Sequence, residues 1–475
     1  MEMNRRQILA LAAAAAAAPV LSACGDSRTQ KQAAAPVKSG AQVIDPNRPG
    51  SDAWPFEEAE QLNNSLTWPR TSVPDPATKI VITVALTTDA VTEVRNAQFD
   101  FFFKQRHPNI EIKRESAPFD QFLTKYMTQA AGGTLPDVLY NHYSWTQNLV
   151  ANKVLHPLDD YIGRTPGFDM DDIPQSGLGY FKRDGSLYGL PTDMAPKLLF
   201  YNKDLFDQAG IAYPDETWTF DRLFVTMRKM TSGSGVEKVY GFSPMPKPSP
   251  DLTAVFLLPY GGRFLDQAEA KVMIDDPAAR DVMARWLDLL IKDKAVPSLA
   301  ELQLLEKVDP FKSGHAAMMI NGAWLMLELS KQKAFKWGAT HVPKGPEGRF
   351  TPAVGSALVM AESSRNKDAA WIYMYEWLSA SGYKFRRIAA PARQSAWEDN
   401  AKALGIPAQE VKLVKDVLAD YASDDGVLRL PASKKVENTA APVWERAMLG
   451  KIGVDDALRE IAGKVTPVLA ENKVA

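Results

Sequence analysis

The sequence predicts an α/β fold, and three observations carry that expectation. The run Ile80-Val81-Ile82-Thr83-Val84-Ala85-Leu86 is β-branched and unbroken in its apolar character, as in a strand covered on both faces. Stretches of helical length alternate with runs of this kind, the pattern of βαβ units and a mostly parallel sheet. The chain has 475 residues, well beyond the ~250–300 at which a single core stops growing, so two large domains are expected.

The elements follow in order. After the first strand, a loop at Thr87-Thr88-Asp89 leads to a helix carrying Phe99, Phe102 and Phe103. Ile110-Glu111-Ile112 is a second strand, Phe119 to Ala130 a helix, and Asp137-Val138-Leu139-Tyr140 a third strand after the turn at Gly132-Gly133. Tyr240-Gly241-Phe242, Ala316 to Ile320 and Ala357 to Met360 read as further strands. Pro277 to Lys292, Lys367 to Ser379 and Val436 to Leu449 read as amphipathic helices. Ligands of such sheets sit beyond the carboxyl ends of the strands.

The N-terminus carries an address. Arg5-Arg6 precede an apolar segment from Ile8 to Leu21, which has the shape of an export signal and is too short to span a bilayer, which takes about 20 residues. The only cysteine, Cys24, closes the run Leu21-Ser22-Ala23-Cys24, which resembles the lipobox of bacterial lipoproteins. Asn4 to Leu9 also resembles a twin-arginine signal, without a basic residue after Leu9. Residues 1–23 are therefore expected to be a signal peptide, with Cys24 lipidated and the body outside the cytoplasm, in the periplasm or on the outer face of the cell membrane. With Cys24 so used, no thiol remains for a disulfide. From Gly25 to about Thr78, seven prolines interrupt regular structure, so residues 24–78 read as a tether and N-terminal extension. Its Trp54, Phe56 and Trp68 are apolar enough for part of it to lie against the body.

Composition narrows the chemistry. At 45% hydrophobic and 24% charged residues the chain is ordinary for a soluble globular protein, and a net charge of −2 without a basic cluster argues against nucleic acid. No hydrolase, nucleotide-binding or zinc-protease motif is present, and the five histidines are scattered. No cofactor or metal is expected. Acidic doublets at 159–160, 171–172, 275–276, 424–425 and 455–456 read as helix-start residues favoured by the positive dipole end, in preference to acid/base pairs.

Five stretches in order resemble the extracellular solute-binding protein family 1, the substrate-binding lipoproteins of sugar-type ABC importers, similar to maltose-binding protein. They are Gly133 to Val138 with Leu155 to Asp160 after it; Phe200-Tyr201-Asn202-Lys203-Asp204-Leu205-Phe206 through Gly210; Phe311 to Trp324; Gly355 to Leu358 with Asn366 to Trp371; and Pro391-Ala392-Arg393-Gln394-Ser395. The resemblance runs from about Lys79 to the C-terminus.

It implies a periplasmic-binding-protein-like architecture: two α/β lobes, a hinge and an interlobe cleft. Residues 79–190 plus 350–391 would form lobe 1 and residues 192–342 plus 392–475 lobe 2. Chain crossings are expected near Pro191-Thr192-Asp193, between Pro343 and Phe350, and near Pro391. The implied function is capture of a carbohydrate by lobe closure, as a monomer, and delivery to the permease with no bond broken. A phosphorylated polyol or other polar solute is the alternative cargo, and a ligand-sensing lipoprotein or, further off, an exported hydrolase the alternative role.

A sugar requires flat apolar surface for its ring and fixed polar groups for its hydroxyls. Candidates by position are Asp89, Asn141, Ser144 and Trp145 in the first lobe, Asp193 at the first crossing, and Asp251 after Phe242. Trp324, Gly355, Ser356 and Arg393 come from the later blocks, with Trp324 as the expected stacking platform. Three aspartates against one arginine favour a neutral ligand. Trp145 could instead pack beneath its helix, and Arg393 could pair with a carboxylate across the hinge.

Overall fold

The computed structural model describes residues 55–71, 77–88, 93–243, 255–266, 271–305, 308–423 and 429–471. Cys24, Asp89, Asp251 and the 424–425 doublet lie outside them. Thirteen strands occur among the described residues: β1 (Ile80–Thr87), β2 (Ile110–Ala117), β3 (Val138–His142), β4 (Lys182–Arg183), β5 (Ser186–Leu187), β6 (Gly189–Pro191), β7 (Ala195–Asn202), β8 (Leu265–Asp266), β9 (Lys271–Val272), β10 (Met318–Gly322), β11 (Trp337–Thr340), β12 (Ala353–Val354) and β13 (Ser356–Met360).

Two sheets organise the chain. The first has the order β2-β1-β3-β13-β6, with β1 parallel to β2 and β3 and with β13 antiparallel to both its neighbours. In the second, β7 pairs antiparallel with β10, β11 and β12. The fold is therefore α/β with two lobes.

Strand β7 explains why its sequence reads as a continuous apolar run. All eight of its residues are buried, and they divide with the strand period of two. Leu198 and Phe200 join a cluster that continues to Ile82, Phe99, Phe103 and Leu358 around the first sheet. Leu199 and Tyr201 face a second cluster with Met318, Trp218, Phe220, Trp286 and Trp444. Asn202 then caps the helix Lys203–Ala209 by accepting the N–H of Leu205 at 3.1 Å, and Gly210 closes it at φ +64°, a conformation open to glycine.

The chain passes between the sheets at two adjacent places, and the segment at Pro391, where a third was expected, is bridged to the first of them. After β6, Asp193 forms an antiparallel bridge with Pro391, and the Met194 N–H donates to Ala390 O at 2.9 Å. The β12–β13 passage falls at Gly355, past the 343–350 segment whose turn residues suggested it; Gly345 and Gly348 instead form a local turn within the second lobe. Tyr240-Gly241-Phe242, read as a strand, contributes only a bridge from Tyr240 to Ala316.

The N-terminal extension, read as a tether with an apolar part able to lie against the body, holds a helix, Phe56–Ser65. Pro55 stands at its N-cap, where a missing N–H costs nothing, so the proline density does not interrupt it. Phe56 packs on Phe101 and Phe102 (5.2 and 5.6 Å between centroids), and Trp68 on Phe99 and Phe385 (5.8 and 6.0 Å).

Candidate functional site

In the first sheet the carboxyl ends of β1, β2, β3 and β6 and the amino end of antiparallel β13 share one edge. That edge collects five of the sequence candidates. Asn141 is fully buried; its Nδ2 donates to Thr146 Oγ1 at 2.6 Å, and among the described residues no donor reaches its Oδ1. Ser144 Oγ lies 2.8 Å from His142 Nδ1. Asp193 Oδ1 accepts from the Ser356 N–H at 3.0 Å and from Thr192 Oγ1 at 2.9 Å. Ser356 Oγ donates to the Tyr140 hydroxyl at 2.7 Å.

Gly355 is required by close approach: a Cβ there would stand 2.0 Å from Asp193 O. The same crowding lets the Tyr143 N–H donate to Gly355 O at 3.2 Å and the Thr192 N–H to Ser356 O at 2.7 Å.

Electrostatics follow from burial. Desolvation pushes the Asp193 carboxyl above the ordinary carboxylate range, against the hydrogen bonds from Thr192 and Ser356 that favour its charge. Burial, and then the Asp193 charge, push the Tyr140 phenol up as well. The edge is thus a row of hydroxyl, amide and backbone groups with a carboxyl whose charge is costly.

Trp145, 5% exposed, packs within the lobe, its ring 5.2 Å from Phe119, 5.8 Å from Phe122 and 5.9 Å from Tyr140. Trp324 follows β10 on the other sheet and is 38% exposed. Its indole covers Gly322, where a Cβ would stand 2.2 Å from the ring, and Lys197 Nζ lies 4.5 Å from its centroid. The Ala323 N–H donates to Pro196 O at 3.0 Å, which sets Trp324 beside the start of β7 and the crossings.

Arg393 stands apart from this group. Its Nε donates to Leu378 O and its Nη1 to Asp169 O, both at 2.6 Å, with Asp172 Oδ2 at 3.4 Å. Asp172, half of an acidic doublet read as a helix start, also accepts from Ser395 N and Oγ, so it clamps the 393–395 turn instead. Across the lobes, Ser433 Oγ donates to Ser144 O at 3.2 Å and Arg429 lies 5.4 Å from the Tyr180 centroid.

Sequence reasoning passed over Tyr140, Thr192, Lys197 and Phe119. The rule that placed Asn141, applied to every strand end on this edge, would have included Phe119, which follows β2 through Pro118.

Two α/β lobes joined by adjacent crossings, with a polar edge on one and an exposed indole beside the crossings on the other, define a two-lobed solute-binding protein. The chain belongs to the bacterial extracellular solute-binding protein family, whose pattern matches residues 102–393. A Brucella abortus protein named for binding without a stated ligand is 24% identical over 388 residues, 77% of this chain and 88% of its own. The arabinooligosaccharide-binding protein of Halalkalibacterium halodurans is 22% identical over 304 residues, 61% of this chain and 62% of its own. The ABC substrate-binding protein of Listeria monocytogenes solved with cycloalternan superposes with a TM-score of 0.73 at 21% identity, covering 82% of this chain and 99% of that one.

Proposed function

We propose that this protein captures a neutral carbohydrate between its lobes and delivers it, unaltered, to the permease of an ABC importer, tethered to the membrane through lipid on Cys24. The observation that carries the reading is the pairing of an exposed indole, Trp324, with a hydrogen-bonding edge that includes Asn141, Ser144, Asp193 and Ser356. The indole offers the flat apolar surface a sugar ring needs, and the edge offers fixed partners for hydroxyls. Relatives named for arabinooligosaccharide and cycloalternan support the same class.

Function then rests on population. A ligand that touches both lobes only when they are closed favours that state by its differential contacts, and a permease can read closure as cargo. Lobe 1 is assigned residues 79–190 with the segment after Gly355, and lobe 2 the β7-centred sheet with its helices. The experiment is thermal-shift screening of the mature protein against a carbohydrate panel. A ligand that binds only the native state raises apparent stability by mass action, whereas a panel without effect removes the carbohydrate reading. Product analysis after incubation checks that the sugar emerges unchanged, and metabolic labelling with a fatty acid checks Cys24.

Lys197 beside Trp324 is the observation that favours a phosphorylated polyol as second reading. Phosphorylated and plain polyols in the same panel separate the two.

A further inference from the structure

Among the described aromatic residues, Phe119 is the most exposed, at 50%. It is the first residue of the helix Phe119–Ala131 and stands at the carboxyl end of β2, on the edge that carries the candidate site. The ring is not a loose surface group. It lies edge-on to His142 (5.1 Å, 81°) and tilted on Trp145 (5.2 Å, 31°), and its backbone is fixed by Pro118, whose carbonyl accepts the Gln121 N–H at 3.0 Å. Beside it, His142 and Ser144 hold each other at 2.8 Å. A fixed ring face next to an imidazole and a hydroxyl is the combination a sugar ring is bound by.

Its place in the sheet gives the length of the site. The order is β2-β1-β3-β13-β6, so Phe119 follows one outer strand and Asp193 follows the other. Four strand spacings of about 4.8 Å separate them, roughly 19 Å along the edge, more than one pyranose ring can reach. Contacts connect the whole length: Phe119 on Trp145, Trp145 on Tyr140 (5.9 Å), Tyr140 to Ser356 (2.7 Å), and Ser356 to Asp193 (3.0 Å). Trp324 lies at the crossing end of this line, beside Pro196. Phe119 therefore stands at the end of the edge away from the crossings, and Trp324, on the other lobe, stands beside the crossings.

We propose that Phe119 forms an outer subsite and that the cargo is an oligosaccharide of several rings, its inner ring against Trp324 and the crossings and an outer ring against Phe119, His142 and Ser144. This rests on the carbohydrate reading above and adds the ligand's length and direction.

The test is calorimetric titration of the mature protein and of Phe119→Ala and Phe119→Trp with neutral gluco- and arabino-oligosaccharides of one to five rings. In the wild type, affinity should climb with ring number. Phe119→Ala should cut the ratio of long-ligand to monosaccharide affinity tenfold or more, and Phe119→Trp, which restores a ring face, should recover it. A ratio unchanged in Phe119→Ala, or equal losses at every length, would overturn the subsite while leaving carbohydrate binding in place. A wild type that binds no member of the series overturns the carbohydrate reading itself, and the subsite with it.

Discussion

Asp193 and Ser356 are joined where the chain changes sheets: the Ser356 N–H donates to Asp193 Oδ1 at 3.0 Å, linking the first crossing to the second. The Asp193–Pro391 bridge ties the 391 segment to the same place. Hinge strands so tied must move together, because rotating one alone would strand a buried N–H or carboxylate without its partner, which costs more than the bond itself stabilises.

The Asp193 carboxyl has a pH signature. Desolvation raises its folded pKa above the ordinary 3.8, so the folded state binds the proton more tightly than the unfolded chain does. Stability from this group is complete below about 3.8 and declines as pH rises through the elevated folded value. Asp193→Asn keeps an oxygen acceptor for the Ser356 N–H and removes the charge. Its apo Tm should lose less than that of the wild type between pH 4 and pH 7, which differential scanning calorimetry measures. Identical pH profiles would mean that Asp193 titrates normally.

Gly355→Ala should destabilise the hinge. The new Cβ would stand 2.0 Å from Asp193 O, a main-chain atom that cannot turn aside. Overpacking of this sort costs about 1–3 kcal/mol, and here the strain falls on the Thr192–Ser356 and Tyr143–Gly355 bonds as well. Chemical denaturation should show that loss, and scattering should show a changed balance of open and closed forms.

The fold class was legible because its signals are local. The β-branched run at 80–86, the alternation after it and the helix at 277–291 follow from side-chain period alone. What could not be read locally depends on partners distant in sequence. The passage at Gly355 is set by Asp193 O, 162 positions earlier, and turn residues at 343–350 give no sign of it. The Phe56–Ser65 helix exists because Phe101, Phe102 and Phe385 offer it and its neighbour Trp68 a face.

The site divides in the same way. Position after a strand placed Asn141 and Ser144, the expected crossing placed Asp193, and the resemblance placed Gly355 and Ser356; strand direction brings all five to one edge. Burial is not a property of position. Trp145 and Trp324 each stand shortly after a strand, yet one is 5% and the other 38% exposed, because Phe119 and Phe122 cover the first while Gly322 only backs the second. Arg393 is likewise drawn off by the carbonyls of Leu378 and Asp169, which no motif announces.

Trp324→Ala should weaken sugar binding tenfold or more, about 1.4 kcal/mol, while apo Tm stays nearly constant. The ring is 38% exposed and packs on Gly322 and Lys197 outside both core clusters, so its removal costs the apo protein less than removal of a fully buried tryptophan. Calorimetric titration beside a thermal melt reads both quantities. A large drop in Tm with intact affinity would make the indole a cap on Gly322 and Lys197 and nothing more.

Trp68→Ala should do the reverse. Arg106 lies 3.8 Å from the Trp68 centroid while its Nη1 donates to Asn63 Oδ1 at 2.7 Å and its Nε and Nη2 to Glu376 Oε2 at 2.9 and 2.8 Å. Trp68 Nε1 in turn donates to Asn63 O at 3.0 Å, and Ser381 Oγ to Thr67 O at 2.6 Å. One cation thus joins the N-terminal helix to the buried Glu376, and the indole shields that cation from water, where the pairing would weaken. Trp68 is only partly buried, so its loss should cost about 2–3 kcal/mol, below the ~3–5 of a fully buried tryptophan. Hydrogen exchange should accelerate across residues 56–65 first, because those amides depend on the docked face, whereas sugar affinity should stay within twofold of the wild type. Unchanged exchange there would show that the helix holds to Phe101 and Phe102 without the indole.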